Sequence, residues 1–227
     1  MAPTKPGKKR GPSLRLERKF WEAGDRVVVG IDEVGRGSWA GPLSVGAAVV
    51  PRDRRVYKIR DSKQLARPER QVAAARVRRW AVAVGVGHAS FLECDELGMT
   101  AALRIAAMRA LAEIEAQGYV PDRIILDGNH DYLGMPDKVT TVIKGDGSVL
   151  SVAAASCVAK VTRDGMMAEA AVHHPVYDFA SNVGYPAPAH KAALLAYGPS
   201  SIHRRSWVFM DGLCWRGVAP APGRLFA

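Results

Sequence analysis

No apolar run in the sequence reaches the roughly 18 residues that a membrane-spanning helix needs, and the basic N-terminus is not followed by the apolar core of a secretory signal. Cysteine is scarce. Cys94, Cys157 and Cys214 are odd in number and none stands in a CxxC pair, which argues against a disulfide framework or a cysteine zinc site and for reduced thiols. His173 and His174 are adjacent but no third ligand stands at zinc spacing. Acidic residues are in deficit as well: 22 Asp and Glu against 32 Lys and Arg leave a formal charge of +10. The expectation is a cytoplasmic, monomeric protein with no membrane association and a polyanionic partner, because clustered Lys and Arg neutralise phosphates and release their counterions.

The 227 residues suffice for one large domain with extensions. Residues 1–25 read as a basic, flexible N-terminal arm: Pro3, Pro6 and Pro12 punctuate it, and the first 26 positions hold eight Lys and Arg against three acids. Residues 26–210 read as the main domain, with a helical C-terminal segment over about 170–210, and residues 211–227 as an irregular tail rich in Pro and Gly. A basic helical face is expected over 71–80, a strand over 80–86, and helices over 100–117 and 187–197.

What is present is a recurring pattern of apolar strand followed by acid. Residues 27–31 are β-branched and apolar, end in Asp32 and Glu33, and break at Gly35, Arg36 and Gly37; a second apolar run occupies 45–50. Residues 123–126 again end in a carboxylate, Asp127, and a further short strand over 139–143 is closed by Lys144, Gly145, Asp146 and Gly147. Neighbouring side chains in a regular strand point to opposite faces, so Asp32 and Glu33 converge only if the first strand ends there. Ser148 is placed to cap a long helix over 149–171, in which Ala153, Ala154, Ala155 and Ser156 form a small-residue face. Ser156, Lys160 and Asp164 lie four apart and share one side of that helix; the ordinary reading of the last two is an ion pair.

Asp32, Glu33, Asp127 and Asp164 thus fall at strand ends or on the helix expected to pack against the sheet. Four acids in one pocket repel one another unless divalent cations bind, and all-oxygen ligands of this kind suit Mg²⁺ or Mn²⁺ with a substrate phosphate completing the shell. Such ions can activate water on one side of a phosphodiester and stabilise the leaving oxygen on the other. A basic surface with an acidic pocket therefore points to a metal-dependent nuclease. Two other readings stay open on the residues alone: a structure-specific DNA nuclease or resolvase, and a non-catalytic nucleic-acid-binding protein.

At the level of motifs the chain resembles bacterial ribonuclease HII. The strings that carry the resemblance are GIDEVGRG from Gly30 to Gly37, Gly41 with Pro42, Asp61 to Lys63 (DSK), Leu126 to Asn129 (LDGN), Lys144 to Asp146 (KGD), Ala153 to Asp164 (AAASCVAKVTRD), Gly184 with Tyr185, and His203 to Ser206 (HRRS). The resemblance implies an α/β, RNase H-like fold: a central mixed sheet flanked by helices, with a C-terminal helical extension. It implies an enzyme that hydrolyses the RNA strand of RNA/DNA hybrids and nicks DNA containing ribonucleotides on their 5′ side, leaving a 3′-hydroxyl and a 5′-phosphate. Its metal-binding, catalytic acids would be Asp32, Glu33, Asp127 and Asp164. The Gly35, Arg36, Gly37 loop would read the ribose 2′-hydroxyl, and Tyr185 would pack on the neighbouring deoxyribose. Lys63, Lys144, Ser148, Ser156, Lys160 and Arg163 would be candidates for backbone contact. The chain departs from the family pattern at Ser38 and Trp39, at Ser181 to Val183, and at Gly165.

Overall fold

The computed structural model describes residues 11–54 and 66–214. Five strands form one sheet: β1 (Val28–Val34), β2 (Leu43–Val49), β3 (Ala83–Ala89), β4 (Arg123–Asp127) and β5 (Val139–Val142), in the order β3-β2-β1-β4-β5. The β1, β2 and β3 pairings are antiparallel, whereas β4 joins β1 in parallel and β5 joins β4 in parallel. The expected mixed α/β sheet is therefore present. Seven helices surround it among the described residues: α1 (Arg15–Glu22), α2 (Arg67–Trp80), α3 (Phe91–Leu97), α4 (Met99–Ala116), α5 (Leu150–His173), α6 (Phe179–Asn182) and α7 (Pro188–Tyr197). None of them is long and apolar enough to cross a membrane.

Strand alternation divides the core in two. Val29, Ile31, Val45 and Ala47 pack under α4, through Ala102, Leu103, Ala106 and Ala110. On the other face α5 lies unusually near the sheet, because a Cβ on Gly30 or Gly46 would collide with the α5 backbone at Ser151 and Ala155. The small-residue face Ala153, Ala154 and Ala155 makes the same approach possible from the helix side. Gly165 does not interrupt α5, which runs unbroken to His173.

Three expectations are corrected. The arm assigned to residues 1–25 contains α1, whose Glu17 is fully buried and accepts a hydrogen bond from the Ser151 N–H at 2.8 Å; residues 1–10 lie outside the described part. Glu17 does for the N-terminus of α5 what Ser148 was expected to do. The residue before the helix is Val149, and the Ser148 hydroxyl instead donates to the Lys144 carbonyl at 3.4 Å. Strand β1 does not stop before its acids: Asp32, Glu33 and Val34 still pair with Gly46, Val45 and Ser44.

The C-terminal segment packs around Met167, Tyr177, Phe179, Leu194 and Met210. Two buried imidazoles order its centre. A backbone N–H can only donate, so the bond from Ser200 N–H to His203 Nδ1 at 2.8 Å puts the His203 proton on Nε2. That nitrogen donates to His190 Nε2 at 2.9 Å, and His190 Nδ1–H donates to the Tyr185 carbonyl at 2.9 Å. Burial, then the neighbouring His190, pushes His203 down to about 3, so both rings are neutral.

Candidate active site

The parallel register of β1 on β4 pairs Ile31 with Leu126, so the next residues in each strand, Asp32 and Asp127, emerge side by side. Parity sends both toward α5: Ile31 and Leu126 belong to the core under α4, and the residues after them point the other way. Beyond β4, Lys144 takes a left-handed conformation at φ 56° and turns the chain so that the Gly145 N–H donates to Asp127 Oδ1 at 2.7 Å. The same turn carries Asp146 inward. Asp32, Asp127 and Asp146 each present a carboxylate oxygen, and all three oxygens lie within 4.8 Å of one another. Asp32 and Asp146 are buried.

Burial raises the Asp32 pKa well above the ordinary carboxylate range, and the charges of Asp127, Glu33 and Asp146 push it further. The Ser156 side chain and the Glu33 N–H, which donates to Asp32 Oδ1 at 2.8 Å, act against that rise and fix the carboxyl group. Neither Asp32 nor Asp127 is paired with a Lys or Arg among the described residues. Crowded, desolvated, all-oxygen donors are what a hard divalent cation relieves, so the donor set fits one. Glu33 lines the same cleft of about 390 Å³, with Val34, Gly35, Arg36, Gly37, Ser156, Lys160 and Tyr185. It reaches the cleft although β1 continues through it.

Asp164 is not brought to this group. Its two oxygens are engaged by Lys160 Nζ at 2.8 Å and Arg70 Nη1 at 3.3 Å, all three side chains being largely buried. Two turns of helix separate it from Ser156, which bonds Asp32, and the intervening turn carries Lys160 into the cleft instead. The expected Lys160–Asp164 ion pair exists, and it occupies the acid that was assigned to metal.

The glycine loop lies across the cleft. Gly35 is buried at φ 90°, while Arg36 and Gly37 are exposed. The Gly35 N–H donates to the Tyr185 hydroxyl at 2.8 Å, and the Tyr185 ring is flanked by Lys160 Nζ and the Arg163 guanidinium at 5.7 and 5.4 Å.

A family model described as ribonuclease HII matches residues 29–210. The chain belongs to the ribonuclease HII family. It is 54% identical to a ribonuclease HII of Streptomyces avermitilis over 207 residues, which cover 90% of this chain and 88% of that one. Among solved structures, ribonuclease H2 of Pyrococcus horikoshii is similar at 26% identity and a TM-score of 0.68, over 82% of this chain and 96% of that one. Bst-RNase HIII in complex with Mn²⁺ shares the fold at 21% identity and a TM-score of 0.55, over 76% and 63% of the two chains. The chain is thus a ribonuclease H-type endonuclease with the RNase H-like fold.

Of the family motifs, GIDEVGRG supplies β1 and the loop, LDGN supplies Asp127, and KGD supplies both the left-handed Lys144 and Asp146. Asp146 went unassigned in the sequence because it sits in the turn after β5 and not at the strand's last residue; its presence in the KGD string was the available signal. Lys144 and Ser148 are exposed and do not line the cleft, Lys63 lies outside the described residues, and Arg163 is fully buried behind the loop.

Proposed function

We propose that the protein hydrolyses the RNA strand of RNA/DNA hybrids and nicks duplex DNA on the 5′ side of an embedded ribonucleotide, leaving a 3′-hydroxyl and a 5′-phosphate. The convergence of Asp32, Asp127 and Asp146 within 4.8 Å at the end of the sheet carries this reading. These three, with Glu33 beside them, are the residues to hold Mg²⁺ or Mn²⁺; Asp164 gives up that role to Asp146. When bound, such ions lower the pKa of the attacking water and neutralise charge on the leaving oxygen. No catalytic His or Cys is then required.

The chain's own groups orient the reactants. Ser156 and the Glu33 N–H hold Asp32, and the Gly145 N–H holds Asp127, so neither carboxylate needs to reorganise. Lys160, aimed by Asp164, presents a positive charge to the phosphate next to the scissile bond. Gly35, Arg36 and Gly37 line the cleft with backbone that can pair with a ribose 2′-hydroxyl, a group that both donates and accepts. The Tyr185 ring, fixed through its hydroxyl, is the platform for the neighbouring deoxyribose.

Purified protein incubated with a DNA duplex holding one ribonucleotide, in Mg²⁺ and separately in Mn²⁺, is expected to yield a single nick 5′ to that nucleotide. A strand left intact under both metals overturns the proposal. Equal cutting of an all-DNA duplex would favour a structure-specific DNA nuclease.

A further inference from the structure

We propose that Arg163 and Arg204 are positioning residues for ribose recognition: two buried guanidiniums grip the carbonyls of Arg36, Ala40, Gly41 and Pro42 from behind and fix the backbone that meets the 2′-hydroxyl. The inference rests on the reading of Gly35, Arg36 and Gly37 as the ribose-reading loop.

Both side chains are fully buried, and neither pairs with a carboxylate among the described residues. Their donors go to the loop and to the segment behind it. Arg163 Nε donates to the Pro42 carbonyl at 2.8 Å, and Nη2 donates to Ser38 Oγ at 2.7 Å and to the Ala40 carbonyl at 3.2 Å. Its Nη1 donates to the Val183 carbonyl at 2.9 Å. Arg204 donates to the Gly41 carbonyl from Nε at 3.1 Å and Nη2 at 3.0 Å, and from Nη1 to the Arg36 carbonyl at 3.2 Å. Burying a cation without a counter-ion costs free energy that its hydrogen bonds must first offset, so stability alone is a weak reason to place one here. What only arginine supplies is a planar fork of five donors that can hold several divergent carbonyls in one geometry.

The surrounding backbone shows that the geometry is enforced. Val183, a β-branched residue, is left-handed at φ 46°, a conformation that costs free energy and persists only where neighbours over-determine it; its carbonyl is the one that Arg163 holds. Gly184 follows at φ 85°, and a Cβ there would strike the Ala40 carbonyl. At Gly35 a Cβ would occupy the seat of Arg163 Nε. Ser38 is buried and provides Arg163 with an acceptor. The inward carbonyls are thus taken up, and Arg36 and Gly37 face outward.

The test uses Arg163→Lys and Arg204→Lys, which keep the charge and lose the fork. Affinities of the full chain for a duplex with one ribonucleotide and for the same all-DNA duplex are measured by fluorescence anisotropy with Ca²⁺ in place of Mg²⁺. The ribonucleotide preference is expected to fall about tenfold, the order of loss that a misplacement of less than an ångström produces, while affinity for all-DNA and its salt dependence stay as in the wild type. Loss of both affinities in parallel, as a smaller folded fraction would give, overturns the proposal; so does an unchanged preference in a folded variant. Ser38→Ala, which removes one acceptor of Arg163, is the second variant should the lysine forms not fold, and it is expected to shift the preference the same way by a smaller factor. A wild type without any ribonucleotide preference would instead remove the ribose reading of the loop itself.

Discussion

Within one cleft the protein treats buried charge in two opposite ways. At the sheet end, Asp32 and Asp127 stand with Asp146 and have no cationic side chain paired to them among the described residues, while behind the adjoining loop Arg163 and Arg204 are buried without a carboxylate. A fold shaped for stability alone would let these charges neutralise one another, since an unpaired buried ion of either sign is costly. Keeping them apart leaves the acids available to a divalent cation and commits the guanidiniums to backbone carbonyls. Asp164 shows the alternative: its charge is spent on Lys160 and Arg70, and it stands outside the cluster.

The comparison can be broken most directly at the acids. Asp127→Asn keeps the shape and the Gly145 contact but removes the charge, and is expected to lower the single-turnover cleavage rate by about a thousandfold, equivalent to roughly 4 kcal/mol of barrier. Substrate affinity should be retained, and the rise in melting temperature on adding Mg²⁺ should vanish. At the arginines the loss should appear in stability instead. Arg163→Met takes their donor from the buried Val183 carbonyl and the half-buried Pro42 carbonyl, and an unfolding free energy lower by about 3 kcal/mol is expected in urea titration. An undiminished stability would mean that the loop relaxes to find other donors.

A third way to sharpen the contrast is pH. His203 is held neutral, with a folded-state pKa of about 3 against the ordinary 6.5. Because the folded value lies below the unfolded one, the stability it confers is fully present above pH 6.5 and is lost as the pH falls toward 3. The chain from Ser200 through His203 and His190 to the Tyr185 carbonyl should open in that window, seen as a steep fall of stability in a metal-free pH titration. In His203→Gln that part of the pH dependence should be missing.

The acids of β1 and β4 are legible in the sequence because an apolar run ending in a carboxylate is a local pattern that occurs twice. The helix α5 is legible for the same reason, from its small-residue periodicity. Other features depend on contacts that no local pattern encodes. Residues 15–22 look like part of a charged arm until Glu17 is seen to serve the N-terminus of a helix more than 130 positions away. Arg163 reads as a candidate for contact with the substrate backbone because sequence records charge and not burial. The helix α3 did leave a signal, Ser90 and Glu93 in capping-box spacing, which hydrophobic periodicity alone passes over. Asp146 and Asp164 are both plausible fourth acids by spacing; which one enters the cluster is decided by the left-handed turn at Lys144 and by the two cations that claim Asp164.

That last distinction gives the smallest expected effect and the most discriminating one. Asp146→Asn removes an oxygen charge from the three-carboxylate group, and Mn²⁺ affinity measured by isothermal titration should fall about tenfold or more, the range seen when support of a metal site is lost. Asp164→Asn removes a charge that already has partners. Mn²⁺ affinity should then stay within about twofold, a change below 0.5 kcal/mol. Its effect should fall on Lys160, whose pKa burial lowers and Asp164 alone among its neighbours raises; without Asp164 the ammonium is lost at lower pH, and cleavage at alkaline pH should decline earlier than in the wild type. If the two variants exchanged these outcomes, Asp164 would be a ligand after all, and the pairing with Lys160 and Arg70 would have to give way when the ion binds.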